Sequence, residues 1–134
     1  MTPRTDPFPH AARCIVRDFA KEHTWGPYNG QEALALRMGY RYRESVTPWF
    51  RGLDTGLTDG QTTPGTDARR RLWAIMHAYA PGRLASIASL NTRLRREIAE
   101  VERMITHGAY PDRTADYPKP IRAKRPAFRL SQAV

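Results

Sequence analysis

Four histidines, one cysteine and a short run of glutamates are the residues with which this chain could do acid–base or covalent chemistry. Their spacing supports neither. His10, His23, His77 and His107 are far apart, and none has a second metal ligand at helical spacing. Glu97, Glu100 and Glu102 are interleaved with arginines, the pattern of a salt-bridged helix surface. Ser86 and Ser89 lie in no nucleophile-elbow context. The single cysteine, Cys14, excludes an internal disulfide and a cysteine-based zinc site; its apolar helix face makes it a small buried hydrophobe. The sequence therefore predicts no enzyme, no cofactor and no metal.

What the chain does carry is guanidinium. The formal charge is +9, and only three of the 22 basic residues are lysine. A GC-rich coding bias would explain the preference for arginine over lysine, but not the net charge. Arginine donates in a fork to phosphates and to guanine edges, where lysine is only a point charge. With a sequence isoelectric point near 10.4, a polyanion is the expected partner: nucleic acid first, an anionic membrane surface second.

The elements that must position these arginines follow from periodicity. A chain of 134 residues, 40% hydrophobic, fits one domain with an appendage. Residues 1–9 hold three prolines and no period, and are expected to be an extended arm. In 10–23, Ala11, Ala12, Ile15, Val16, Phe19 and Ala20 form a helical stripe, with Arg13, Arg17 and Lys21 on the opposite face. That basic row is either solvated or touches phosphate. Residues 24–29 read as a turn broken by Gly26-Pro27, with Trp25 and Tyr28 as core plugs and Asn29 able to cap the next helix.

Residues 29–52, NGQEALALRMGYRYRESVTPWFRG, are the centre of the chain. Ala33, Leu34, Ala35, Leu36 and Met38 make a short apolar helix that stops at Gly39; Tyr40-Arg41-Tyr42 links it to a second segment with Val46, Trp49 and Phe50 as apolar contacts and Gly52 as stop. Pro48 is tolerated in a helix only in its first turn, which Thr47 as cap would allow, and the second helix is then very short. The order Gln31-Glu32-Ala33-Leu34-Ala35, Met38-Gly39, Ser45-Val46, Trp49 and Arg51-Gly52 resembles the lambda-repressor/Cro-like helix-turn-helix family of phages and bacteria. The resemblance covers about 24 of the 134 residues. It implies a helix that braces and a helix that lies in the DNA major groove. It further implies that Arg41, Tyr42, Arg43, Ser45 and Thr47 contact bases or phosphates and that Gln31 touches a phosphate. Arg51, Arg69, Arg70 and Arg71 would be electrostatic supports.

Beyond the motif, residues 53–66 are a glycine- and threonine-rich loop, expected to be a passive connector. Thr66 or Asp67 caps a helix with Leu72, Ile75, Met76 and Tyr79 facing the core. Arg69–Arg71 crowd its first turn, where the helix dipole is already positive, as either a phosphate anchor or a solvated cluster. After Pro81-Gly82, residues 83–107 run without Gly or Pro, and Ile87, Leu90, Leu94, Val101 and Met104 fit a heptad frame that only Glu97 breaks. That helix pairs either with its own core or with a second copy, which would make a homodimer through residues 84–105. Residues 109–134 carry four prolines and six basic residues. They are expected to be an extended tail in which Lys119, Arg122, Lys124 and Arg125 contact nucleic acid or a partner.

The sequence thus predicts an all-α protein: an N-terminal arm (1–9), a helix-turn-helix core (10–80), a long amphipathic helix (81–108) and a Pro-rich basic tail (109–134). Its expected function is sequence-specific binding of double-stranded DNA as a transcriptional regulator. The alternative is a non-enzymatic protein that straps onto a larger assembly by its long helix and tail. No apolar run approaches a membrane span and no signal-peptide core opens the chain, so the bacterial cytoplasm is the expected compartment.

Overall fold

The stripe over residues 10–23 folds as its period requires. In the computed structural model, which describes residues 6–108, helix α1 spans His10–Glu22 and turns Ala12, Val16, Phe19 and Ala20 inward. Ala11 stays on the surface and Cys14 is only half-buried. The residues just before α1 are not a loose arm. Phe8 is fully buried, edge-on to Trp49 at 6.2 Å and tilted against Trp73 at 6.3 Å.

The expected turn at 24–29 is a hairpin of two-residue strands, β1 (Thr24–Trp25) and β2 (Tyr28–Asn29), with Trp25 opposite Tyr28. Among the described residues the fold is therefore mostly helical, as expected, with one small antiparallel sheet in addition. The Asn29 side chain does not cap helix α2 (Gly30–Arg37); the Gly30 N–H bonds back to the His23 carbonyl at 2.9 Å. Helix α2 is buried on successive residues from Ala33 to Met38, as a helix apolar on all sides must be. Its end is where the sequence places it. Gly39 takes φ +95°, its N–H bonds to the Leu36 carbonyl, and the Tyr40 N–H bonds to the Ala35 carbonyl, the paired bonds of a Schellman stop.

No α-helix follows until Thr66. The expected reading helix is replaced by two 3-10 segments, Arg43–Ser45 and Thr47–Phe50. Pro48 explains the outcome: an α-helix running through it would need an N–H that proline lacks and would press its ring on the Glu44 carbonyl. The chain closes shorter bonds instead, Val46 N–H to Arg43 at 3.0 Å and Trp49 N–H to Val46 at 2.9 Å.

The connector after Phe50 is fastened along its length. The Gln61 amide donates to the Arg51 carbonyl at 2.8 Å, and the Arg13 guanidinium reaches the carbonyls of Trp49 and Thr62 and the Thr63 hydroxyl at 2.7, 2.8 and 2.9 Å. Arg13, expected on the solvent face, is thus only 4% exposed, because this loop folds back over it. Gly52 is obligatory here: its φ is +80°, and a Cβ would stand 2.6 Å from the Leu57 carbonyl oxygen.

Helix α3 (Thr66–Tyr79) begins after Gly65, so neither Thr66 nor Asp67 caps it. It is the central helix, with Leu72, Trp73, Ile75 and Met76 fully buried, while Tyr79 lies half in solvent. The long run expected at 83–107 is two helices, α4 (Pro81–Ala88) and α5 (Thr92–Thr106). Asn91 makes the break, its side chain accepting the Leu94 N–H at 2.8 Å as an N-cap. Leu84, Ile87, Leu94, Ile98 and Val101 join the same cluster as the buried residues of α1, α2 and α3. Most of the face expected to pair two copies through residues 84–105 is therefore spent inside one chain, and residues 81–108 share the core of 10–80.

Glu97, which interrupts the heptad frame, does so for a reason 28 positions away. Both its oxygens accept from Arg69 Nε, at 2.9 and 3.1 Å, with the two side chains 5% and 10% exposed. Arg69 also donates to the Pro64 carbonyl at 2.9 Å. Removing one member of such a pair leaves the other charge desolvated and unanswered. Glu97→Gln should lower unfolding free energy by about 3 kcal/mol in urea titration, while Arg69→Met with Glu97→Leu should regain most of the loss. Equal loss in both variants would show that the pair contributes packing rather than charge compensation.

Candidate nucleic-acid interface

An arginine can meet a phosphate only if nothing in its own chain holds it, and this separates the candidates. Gln31 and Thr47 are half-buried and bonded to each other, the Thr47 hydroxyl donating to Gln31 Oε1 at 2.8 Å. Arg69 is inside the core. Arg71 donates to the Met38 carbonyl at 2.7 Å and so binds α3 to the C-terminus of α2, where a cation also meets the negative end of the helix dipole. Arg70 is half-buried, and its Nε is shielded from water without a partner. Arg51 is exposed beside Gly60 in the connector. The structure thus does not assemble the expected ten residues into one surface.

It does leave one part intact. Residues 41–45 are exposed without interruption, forming a knuckle between two buried anchors. On one side, Met38 is fully buried and the Tyr40 ring meets Trp49 edge-on at 6.3 Å. On the other, Val46 is fully buried. The knuckle backbone is fixed by the Ser45 N–H to the Tyr42 carbonyl at 3.1 Å and by Val46 to Arg43. Arg41 follows Met38 by three residues, at most about 11 Å along the chain, so the knuckle stands beside the Arg71 attachment.

The side chains of Arg41, Tyr42 and Arg43 make no hydrogen bond, ion pair or ring contact among the described residues and lie exposed, whereas most other arginines are occupied. Arg17 pairs with Asp54 at 2.9 Å, Arg83 with Glu22 at 2.7 Å, and Arg103 with Glu100. The basic row of α1 is consequently no phosphate track: Arg13 is buried, Arg17 is paired, and only Lys21 remains. Lys119, Arg122, Lys124 and Arg125 lie outside the described residues. No protein-family model, no curated protein and no solved structure matches the chain. Among the described residues, no group of three or more His, Cys, Asp or Glu could hold a metal, and no helix is long and apolar enough to cross a membrane.

A second polar cluster escaped sequence reasoning. Arg37 is 7% exposed, its guanidinium held between the rings of Trp25 and Tyr79 at 4.6 and 4.5 Å, and its Nε donates to His23 Nε2 at 3.0 Å. A charge in the middle of the apolar run Ala33–Met38 was the available signal, since such a residue is buried whatever its type. This cluster packs the hairpin against the end of α3, the work of a structural joint.

Its chemistry sets a pH dependence. Burial first, and the neighbouring Arg37 charge second, push the His23 pKa down to about 4. The folded chain therefore refuses a proton that the unfolded chain accepts near pH 6.5, and stability present above that pH is lost as it falls towards 4. Urea unfolding at pH 7 and pH 5 should differ by about 2 kcal/mol on this account. His23→Gln keeps an acceptor for Arg37 and should remove that difference; parallel profiles for both proteins would disprove the assignment.

Proposed function

We propose that the chain is a non-enzymatic DNA-binding protein, a small regulator of the phage and bacterial repressor kind, which meets DNA with the knuckle at residues 41–45. The observation that carries this reading is the contrast in how its arginines are used. Arg41 and Arg43 project from the knuckle with no side-chain hydrogen bond or ion pair among the described residues, the exposed Glu44 beside Arg43 being the one acid of the same turn. The sequence charge of +9 gives the long-range attraction such a surface needs.

The shape of the knuckle sets the mode of contact. A major groove accepts a whole helix, and a three-residue 3-10 turn presents no helical face to lie along it. Contact is therefore chiefly to phosphate, with Arg41, Arg43 and Ser45 the residues within reach of a base edge at the tip. Arg51 and the half-buried Arg70 add field rather than hydrogen bonds. Helix α2 serves as the brace, held at its end by Arg71.

One observation favours the alternative, a protein that docks on a larger assembly. Leu57 is 74% exposed on the fastened connector, the most exposed large apolar side chain among the described residues. The two readings separate in one experiment: a fluorescence-anisotropy titration on duplex DNA from the gene's own upstream region against a scrambled duplex, at two salt concentrations. The double variant Arg41→Ala/Arg43→Ala should lower affinity about tenfold or more and reduce the salt slope by about two. A preference for the upstream duplex that survives the higher salt would establish base readout. Unchanged affinity in the double variant would remove the knuckle from the interface and favour the assembly reading.

A further inference from the structure

We infer that Tyr42 is a stacking residue, taking the face of an unpaired or unstacked base while Arg41 and Arg43 hold the phosphates on either side of it. The inference rests on the knuckle arginines as a nucleic-acid interface, as proposed above, and departs from a duplex operator: the preferred ligand is a strand with accessible bases, such as a single strand or a bulge, over a perfect duplex.

Tyr42 is the odd aromatic of its stretch. Tyr40, Trp49 and Phe50 pack on one another edge-to-face, at 6.3 Å for the first pair and 6.2 Å for the second. Tyr42 is 64% exposed and makes no ring pair or side-chain hydrogen bond among the described residues. Its place in the chain is nonetheless fixed. The Tyr42 carbonyl accepts the Ser45 N–H, and the Arg43 carbonyl accepts the Val46 N–H with the Thr47 hydroxyl 3.1 Å away. A phenol on an ordered backbone has only two torsions to settle when it binds, which makes it a low-cost contact.

The geometry also selects the ligand. Tyr42 has extended backbone, φ −132° and ψ 149°, so the Cα atoms of Arg41 and Arg43 are about 7 Å apart. Their side chains leave the chain on the side opposite the Tyr42 ring, and their length lets them address neighbouring phosphates of one strand. In a perfect duplex the base faces are covered by stacking, and only edges line the grooves. A ring at the tip of a three-residue turn reaches no base face there. A strand with free bases offers a face to any aromatic, and every base has one.

Anisotropy with the full chain tests this on three probes: a single strand of about twenty nucleotides, its perfect duplex, and that duplex with an unpaired bulge. Binding to the single strand or the bulge should exceed binding to the perfect duplex by about tenfold at equal salt, the effect of roughly one stacked base. Tyr42→Ala should erase that margin, Tyr42→Trp should keep it, and thermal melting should show both variants as stable as the native protein. Arg41→Ala/Arg43→Ala should weaken all three probes together. Equal affinity for all probes, or a margin that Tyr42→Ala leaves intact, would overturn the stacking role while leaving the arginine interface standing. Binding to none would overturn both.

Discussion

A guanidinium taken out of water must recover its hydrogen bonds from the protein, and that demand decides how the helices of this chain are joined. Arg13, Arg37 and Arg69 are each less than a tenth exposed. Each secures a connection that apolar packing alone leaves loose. Arg69 locks α3 to α5 through Glu97 and to the end of the connector through Pro64. Arg13 holds the connector on α1, and Arg37 holds the hairpin against Tyr79. A buried charge whose partner moves away is far costlier than a lost apolar contact. The three attachments therefore tie segments of irregular backbone to the helices as firmly as the helices are tied to one another.

Those attachments hold a stretch without an α-helix, residues 38–65, against the helices. Its apolar contributions are few, Met38, Val46, Trp49 and Phe50, but they sit at its bends, and Arg13 and Arg71 bond the carbonyls at its edges. Order bought in this way lets side chains point outward from a fixed frame. At the knuckle the backbone carries the structural burden, so Arg41, Tyr42 and Arg43 carry none. The same division is seen in reverse at Gln31 and Thr47, whose mutual hydrogen bond makes them part of the frame.

Local periodicity revealed the helices and their ends wherever the signal was local. The stripe of α1, the glycine stop at Gly39, the core face of α3 and its end before Pro81 are all legible because each depends on residues within a few positions. The failures share a different cause. Arg13 is on the polar side of its own helix and is buried by a loop some 40 residues away. Glu97 looks like a surface charge and is the counterion of Arg69. The break between α4 and α5 carries no Gly or Pro, and only the capping preference of Asn91 marks it. Of the candidate site, the exposed tip was legible in Arg41-Tyr42-Arg43. The loss of Gln31, Thr47 and Arg69 to internal bonds was not, since pairing across the fold leaves no trace in spacing.

Pro48 connects these observations to function. Without it, residues 43–50 could continue as one helix, and Trp49 and Phe50 would turn with it. With it, the segment is divided into two short turns, and Val46, Trp49 and Phe50 can all face the core while Tyr42 faces solvent. A continuous amphipathic helix would present a broad polar face suited to lying along a groove. The divided segment presents a narrow tip of one ring, two arginines and one glutamate. Under the proposed nucleic-acid reading, such a tip would meet one strand's backbone and one exposed base rather than span several base pairs. The proline thus sets a short exposed turn where an α-helix would otherwise run on from the stop at Gly39.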